Sequence, residues 1–142
     1  MSFDKQKAEA SKKNLQNADL KNADLQEADL SEGILIEACL ENCNLSEADL
    51  CGTDISGASL KNARLHRTVL YRCRGKEVDF SNAVLTQANL VEANLSGANF
   101  THANLMESNI EGANLTNACF KNANLSEVNL TGVFLTNADL SG

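Results

Sequence analysis

Large apolar side chains recur at every fifth position from Leu15 to Leu140, and the phase never slips. Leu20, Leu25, Leu30 and Leu35 stand near its start, Ile55, Phe80, Phe100 and Ile110 continue it, and Gly75 is the one exception in twenty-six positions. A spacing of five fits neither a helix of about 3.6 residues per turn nor the alternation of a strand, so the chain is a tandem repeat. With the large residue called position i, a small one stands at i−2, alanine in sixteen of twenty-six units, with Lys13 as the outlier. Residues two apart in a short extended segment point the same way. Positions i and i−2 are therefore expected to face inward. Positions i−1, i+1 and i+2 are expected to face water, where their Asp, Asn, Ser, Thr, Glu, Lys and Gly residues turn corners. One unit cannot bury its own leucine, but wound and stacked units can. A large and a small side chain per unit fill a narrow interior without voids, and bulk at i−2 would overpack it.

Ala18-Asp19-Leu20, Ala23-Asp24-Leu25, Ala48-Asp49-Leu50, Ala93-Asn94-Leu95 and Ala113-Asn114-Leu115 are typical units. In this the chain resembles the pentapeptide repeat family, whose unit is A(D/N)LXX, over residues 13–142. The resemblance implies an all-β solenoid, a right-handed quadrilateral β-helix with twenty residues per coil and about six and a half coils here. Phe80, Phe100 and Phe120 provide an independent check, because a twenty-residue coil stacks them in one interior column. At ~4.8 Å per coil the rod is ~30 Å long.

Residues 1–13 are read as an N-terminal cap segment and 14–142 as the β-helix. Residues 4–13 favour a short helix that lids the first coil with help from Phe3, since an open coil end invites aggregation. No comparable segment follows Leu140, and Phe134 occupies an i−1 site usually held by Asp or Asn. Val133, Phe134 and Leu140 are accordingly expected to form a self-association end and a homodimer. The abrupt stop also suits a piece of a longer protein.

A formal charge of −7 and a pI near 4.7 argue against general affinity for nucleic acid or an anionic membrane. The opening Met1-Ser2-Phe3-Asp4-Lys5 is not a secretory signal, and no apolar run is long enough to span a bilayer, so a cytoplasmic, soluble protein is expected. The five cysteines form no CxxC or Cys/His pattern, so neither a metal nor a structural disulfide is expected. Cys43 and Cys73 take the small inward site, and Cys39, Cys51 and Cys119 face outward. Cofactors are not indicated. His66 and His102 share no column, no nucleophile, base and orienting group converge, and a convex rod offers no cleft, so the chain is read as not an enzyme.

One stretch breaks the acidic character. Residues 61–76 carry Lys61, Arg64, Arg67, Arg72, Arg74 and Lys76 with no acid, together with His66, Tyr71 and Gly75. One reading is a partner-binding patch of Arg64, Arg67, Tyr71, Arg72, Arg74 and Lys76, because clustered arginines suit anions. The other is local neutralisation by residues twenty apart: Lys61 with Glu41, Arg67 with Glu47, Arg74 with Asp54, Arg72 with Glu92. Gly75 marks a local bulge or a pinched corner. The i−1 asparagines Asn89, Asn94, Asn99, Asn104, Asn109 and Asn114 are read as amide ladders between coils.

Two functions compete. The first is a non-catalytic scaffold, a rigid rod docking a protein partner, a common description of cyanobacterial members of the family. The second is what the resemblance to quinolone-resistance members implies: an acidic rod that mimics DNA and binds DNA gyrase. Columns such as Asp29/Asp49 and Glu27/Glu47 suit it. Leucine instead of phenylalanine at twenty of twenty-six i sites, the unbroken phase and the basic girdle depart from it.

Overall fold

Residues 3–142 are described by a computed structural model, in which the backbone bridges join residues twenty apart, all in parallel. Asp19 pairs with Cys39, Cys39 with Ser59, Ser59 with Asp79, and the series continues to Asp139. Four units make one coil, each unit forming one side, so the chain is a four-sided all-β solenoid, as the family resemblance implies. Face 1 carries the units of Leu20, Leu40 and Leu60, face 2 those of Leu25, Leu45 and Leu65. Face 3 carries those of Leu30, Leu50 and Leu70, and face 4 those of Leu35, Ile55 and Gly75.

From Ala23 to Phe120 the i and i−2 residues are buried throughout, the inward pair that the repeat predicts. The rings of Phe80 and Phe100 stack at 5.1 Å, and those of Phe100 and Phe120 at 4.8 Å with only 2° between planes. These separations match the rise per coil, ~4.8 Å. Two polar residues at i−2 are satisfied by reaching back to a carbonyl of the preceding coil: Thr53 Oγ1 donates to Leu30 O at 2.8 Å and Thr68 Oγ1 to Leu45 O at 2.7 Å, whereas the buried Ser108 Oγ has no hydrogen-bond partner among the described residues.

Gly75 is neither a bulge nor a gap. Its N–H keeps its place in the ladder, 2.8 Å from Asn94 O, and its φ lies outside the left-handed region. The space of its missing side chain is taken by its column neighbours, for an added Cβ would meet Leu95 Cδ2 at 2.8 Å and Ile55 Cγ1 at 3.2 Å.

The corners are built in one way. In each, the N–H at i+3 donates to the carbonyl of residue i, as from Ala18 to Leu15 O at 3.0 Å. The i+2 residue takes a left-handed φ between 53° and 70° at every corner from Asn17 to Asn137. That is the signature of a type II turn, which favours Gly or Asn at its third position. Position i−1 holds the second device. In all sixteen units from Asp19 to Asp139 with Asp or Asn there, Oδ1 accepts the backbone N–H two residues on, as at Asp49 and Cys51 (2.8 Å). This Asx turn satisfies a corner donor that the coil-to-coil ladder does not reach. It also revises the ladder reading: all six asparagines from Asn89 to Asn114 cap their own corners. Among them only Asn114 donates to another, Asn94, at 3.3 Å.

The N-terminal lid is a helix, α1 (Phe3–Ala10), followed by a 3-10 turn at Lys12–Asn14. Lys, Gln, Ala and Glu are good helix formers, and Ala8 is buried against the first coil. The expected contribution of the Phe3 side chain lies outside the described residues. Glu9 Oε1 accepts the Asp29 N–H at 2.9 Å and Lys12 O accepts the Ile34 N–H at 2.7 Å, so the lid supplies acceptors that a preceding coil supplies elsewhere. Lys12 Nζ also meets Asp29 Oδ1 at 2.9 Å. Hydrogen bonds from Ser31 and then from Lys12 hold the Asp29 carboxyl down at about 2. A depressed carboxylate stabilises the fold above its unfolded value near 3.8, and that contribution is lost as pH falls through about 2. The side chain is largely exposed, so screening limits the effect to ~1 kcal/mol or less. Asp29→Asn is expected to flatten the acid limb of stability between those two values; urea midpoints that fall as steeply in the variant would contradict this.

At the other end Leu125, Leu130, Leu135 and Leu140 surround a small apolar hollow floored by Ile110 and Phe120. Leu130 and Leu140 are about half exposed, and Phe134 stands out on face 4 at the rim. The N–H groups of Leu125, Leu130 and Leu135 lack the acceptors that a further coil provides elsewhere in the rod.

Candidate partner-docking surface

The girdle occupies one turn of the tube. Arg64, His66 and Arg67 lie on face 2, Tyr71 and Arg72 follow on face 3, and Arg74 and Lys76 on face 4. Two of the four expected ion pairs form: Arg72 Nε to Glu92 Oε2 at 2.5 Å and Arg74 Nε to Asp54 Oδ2 at 3.3 Å. The bond to Glu92 pushes the Arg72 guanidinium up, and the same side chain lies 5.0 Å from the Tyr71 ring centre.

The other two do not form. Glu41 is held by Lys21 at 3.0 Å, and Lys61 turns instead to Asp79 at 3.4 Å. Arg67 bonds upward to Gln87 Oε1 at 2.9 Å, and Gln87 passes the contact on to Glu107 at 2.7 Å, leaving Glu47 aside. Both expected partners stood in the coil below, whereas long side chains reach either way. Lys76 lies 3.8 Å from Glu77. Arg64 alone among the six has no side-chain partner within the described residues.

The same coil lacks the Asx device on every side. Its i−1 residues are Ser59, Arg64, Val69 and Arg74, and the corner N–H groups of Lys61, His66, Tyr71 and Lys76 have no acceptor among the described residues. No other run of four consecutive i−1 sites between Asp19 and Asp139 is without Asp or Asn. On face 2 the next coil repeats the omission, since Val84 leaves the Thr86 N–H uncapped. Sequence reading found the charges but not the amides. The missing signal is the absence of Asp and Asn at i−1 over one full coil.

A shallow depression of about 500 Å³ opens on this face, lined by Gln26, Ser46, Glu47, Arg64, His66, Val84 and Thr86. His66 Nδ1 lies 2.8 Å from Thr86 Oγ1, which fixes the imidazole against the wall. His102 stands apart, holding a left-handed corner with φ 58°. Among the described residues no three His, Cys, Asp or Glu side chains are placed to hold a metal ion, and no helix is long and apolar enough to cross a membrane.

All five cysteines are free thiols. Burial pushes Cys43 up to about 11 and Cys73 up to about 12, and desolvation raises Cys51 less. Thiolate is the reactive form, so reactivity follows both exposure and this ordering. With a disulfide reagent near pH 8, Cys39, Cys51 and Cys119 are expected to react in the folded protein, and Cys43 and Cys73 only after unfolding. Five equal rates in the folded protein would refute the inward placement of the last two.

The family model for pentapeptide repeats matches in eight copies, over residues 6–35, 14–46, 43–74, 76–112 and 108–142. Among solved structures the chain is similar to Rfr23, a pentapeptide repeat protein from the cyanobacterium Cyanothece 51142, at 35% identity and a TM-score of 0.65. That alignment covers 66% of this chain and 65% of Rfr23, slightly under two thirds of the relative's length. It is also similar to HetL of Nostoc sp. strain PCC 7120, a protein involved in heterocyst differentiation regulation, at 25% identity over 89% of this chain and 80% of HetL, TM-score 0.36. QnrB1, a plasmid-mediated fluoroquinolone resistance protein, aligns at 22% identity over 88% of this chain and 71% of its own, TM-score 0.39. No curated protein matches.

Proposed function

Because the chain belongs to the pentapeptide repeat family and shares its right-handed, four-sided β-helix, its chemistry rests on its outer faces, and we propose that it is a non-catalytic scaffold docking a protein partner through the basic girdle. The observation that carries this reading is the coincidence, in one coil, of six basic side chains and four uncapped corner amides. In sixteen other units from Asp19 to Asp139 the repeat satisfies that amide internally, and nowhere else does it leave four consecutive corners bare. A coil that gives up the device on all four sides spends local stability on an electropositive band. The band sits between acidic stretches, with ten acids against Lys21 over residues 14–60, so it is a distinct feature along the rod. Tyr and Arg side by side, as at Tyr71 and Arg72, are also the residue types enriched at the energetic centres of protein interfaces. The action is cytoplasmic in this reading. Affinity capture from the host lysate tests it: a protein retained by the wild type and lost when Arg64, Arg72 and Arg74 are all changed to Glu supports it. Identical captures by both would remove it.

DNA mimicry directed at DNA gyrase has one observation in its favour, the acidic first coils. The girdle cuts that negative surface short. No inhibition of gyrase supercoiling at large protein excess is the expected result, and inhibition would make mimicry the better reading.

The apolar hollow at the last coil fits a second copy of this chain, end to end, with Leu130 and Leu140 meeting their counterparts and Val133 and Phe134 at the rim. Sedimentation should then show a concentration-dependent dimer that dissociates when Phe134 and Leu140 are changed to Lys; a monomer across the whole concentration range would rule this out.

A further inference from the structure

We propose that face 2 holds a carboxylate of the partner's acidic segment at Arg64, between the backbone amides of His66 and Thr86; the assignment deepens the docking reading and rests on it. The repeat itself supplies the template. In sixteen units a carboxylate or amide oxygen at i−1 accepts the N–H at i+1, as Asp49 Oδ1 accepts from Cys51 at 2.8 Å. At two successive coils of face 2 that oxygen is missing, because Arg64 and Val84 occupy the i−1 sites. The N–H groups of His66 and Thr86 are therefore donors without an acceptor among the described residues, ~4.8 Å apart along the rod. They lie beside the one girdle side chain that no internal partner uses, the Arg64 guanidinium, and all three residues line the same depression. An incoming carboxylate can offer one oxygen to a vacant corner N–H and the other to the guanidinium, a planar donor group matched to a planar two-oxygen acceptor. His66 is already held by Thr86, so its ring borders the site without closing it.

The surroundings select the charge of the ligand. Glu47 lines the same depression, and the chain as a whole carries −7. A singly charged carboxylate meets less repulsion there than a doubly charged phosphate. The occupant is accordingly an Asp or Glu side chain of a protein segment, with the Val84 side chain contacting its methylene groups.

Fluorescein-labelled octaglutamate is the probe, followed by amide ¹H–¹⁵N spectra and by anisotropy at low salt. Saturable shifts confined to the amides of His66 and Thr86 and the Nε–H of Arg64 are expected. Arg64→Asn removes the guanidinium and gives the His66 N–H an internal Asx oxygen, so it should weaken binding about tenfold or more. Asn stands at this site in ten other units, so the variant keeps its fold, checked by an unchanged or higher Tm. Lys121→Gln, which removes one positive charge on face 1 away from the girdle, should change affinity less than about twofold. Absent shifts, equal binding by Arg64→Asn, or displacement of the probe by inorganic phosphate at matched ionic strength would each overturn the carboxylate site. The two readings fail separately. A partner captured equally by wild type and Arg64→Asn leaves docking intact and overturns this contact; octaglutamate binding with no partner captured removes docking and keeps the site.

Discussion

Phe100→Ala is expected to destabilise the protein by ~3–5 kcal/mol, more than any other single truncation in the core. Its ring is the middle of three, stacked on Phe80 at 5.1 Å and on Phe120 at 4.8 Å, and fully buried. Removing it opens a void that neither neighbour can fill, because each is held in its own coil by backbone bonds to the coils on either side. The loss combines transfer of the ring to water with an unrelaxed cavity. Phe100→Leu should cost far less, ~1 kcal/mol, since leucine is what the rest of the repeat places at i. Urea unfolding of the two variants checks both values. A deficit below ~1 kcal/mol for the alanine variant would mean that the column closes up, and that the stack is a consequence of the coil and not a contributor to it.

The period of five and the phenylalanine spacing made the tube legible in the sequence, because both are consequences of what can be buried. Burial acts on side-chain size, and size is written directly at i and i−2. Backbone needs are written less directly. The left-handed corners were visible only as a bias at i+2, where eight asparagines and five glycines stand between Asn17 and Asn137, among glutamates and arginines that tolerate the same φ. Charge partners were half legible: the column rule places Arg72 beside Glu92 and Arg74 beside Asp54, but Lys61 and Arg67 have acceptors on the coils both above and below within reach. Gly75 was misleading for the opposite reason. A missing side chain suggests an unusual backbone, whereas the neighbours Leu95 and Ile55 simply expanded into the space. At the girdle, composition revealed the basic residues. The uncapped amides became visible only once the role of Asp and Asn at i−1 was known, since a donor left without an acceptor has no residue type of its own.

Stripping that role from one further coil is the second large effect. Asn89, Asn94, Asn99 and Asn104 cap four consecutive corners, with Oδ1 between 3.0 and 3.4 Å from the N–H groups of Val91, Ser96, Thr101 and Met106. Changing all four to Ala is expected to cost ~2–4 kcal/mol, about 0.5–1 for each bond lost, and to make a second coil resemble the girdle. The amide-ladder explanation of these asparagines predicts a similar loss, so a second variant separates the two. Asp at positions 89, 94 and 104 keeps the oxygen that accepts the corner N–H but removes the amide that donates to a neighbouring coil. No acidic i−1 residue lies one coil away from these three, whose neighbours there are Val69, Asn109, Arg74, Asn114, Val84 and Asn124. If corner capping dominates, the Asp variant stays within ~1 kcal/mol of the wild type, and if ladders dominate it falls with the alanine variant. The result also bears on the girdle. Should the alanine coil lose nothing, an uncapped corner is energetically neutral, and the four bare amides of the girdle no longer distinguish that coil from its neighbours.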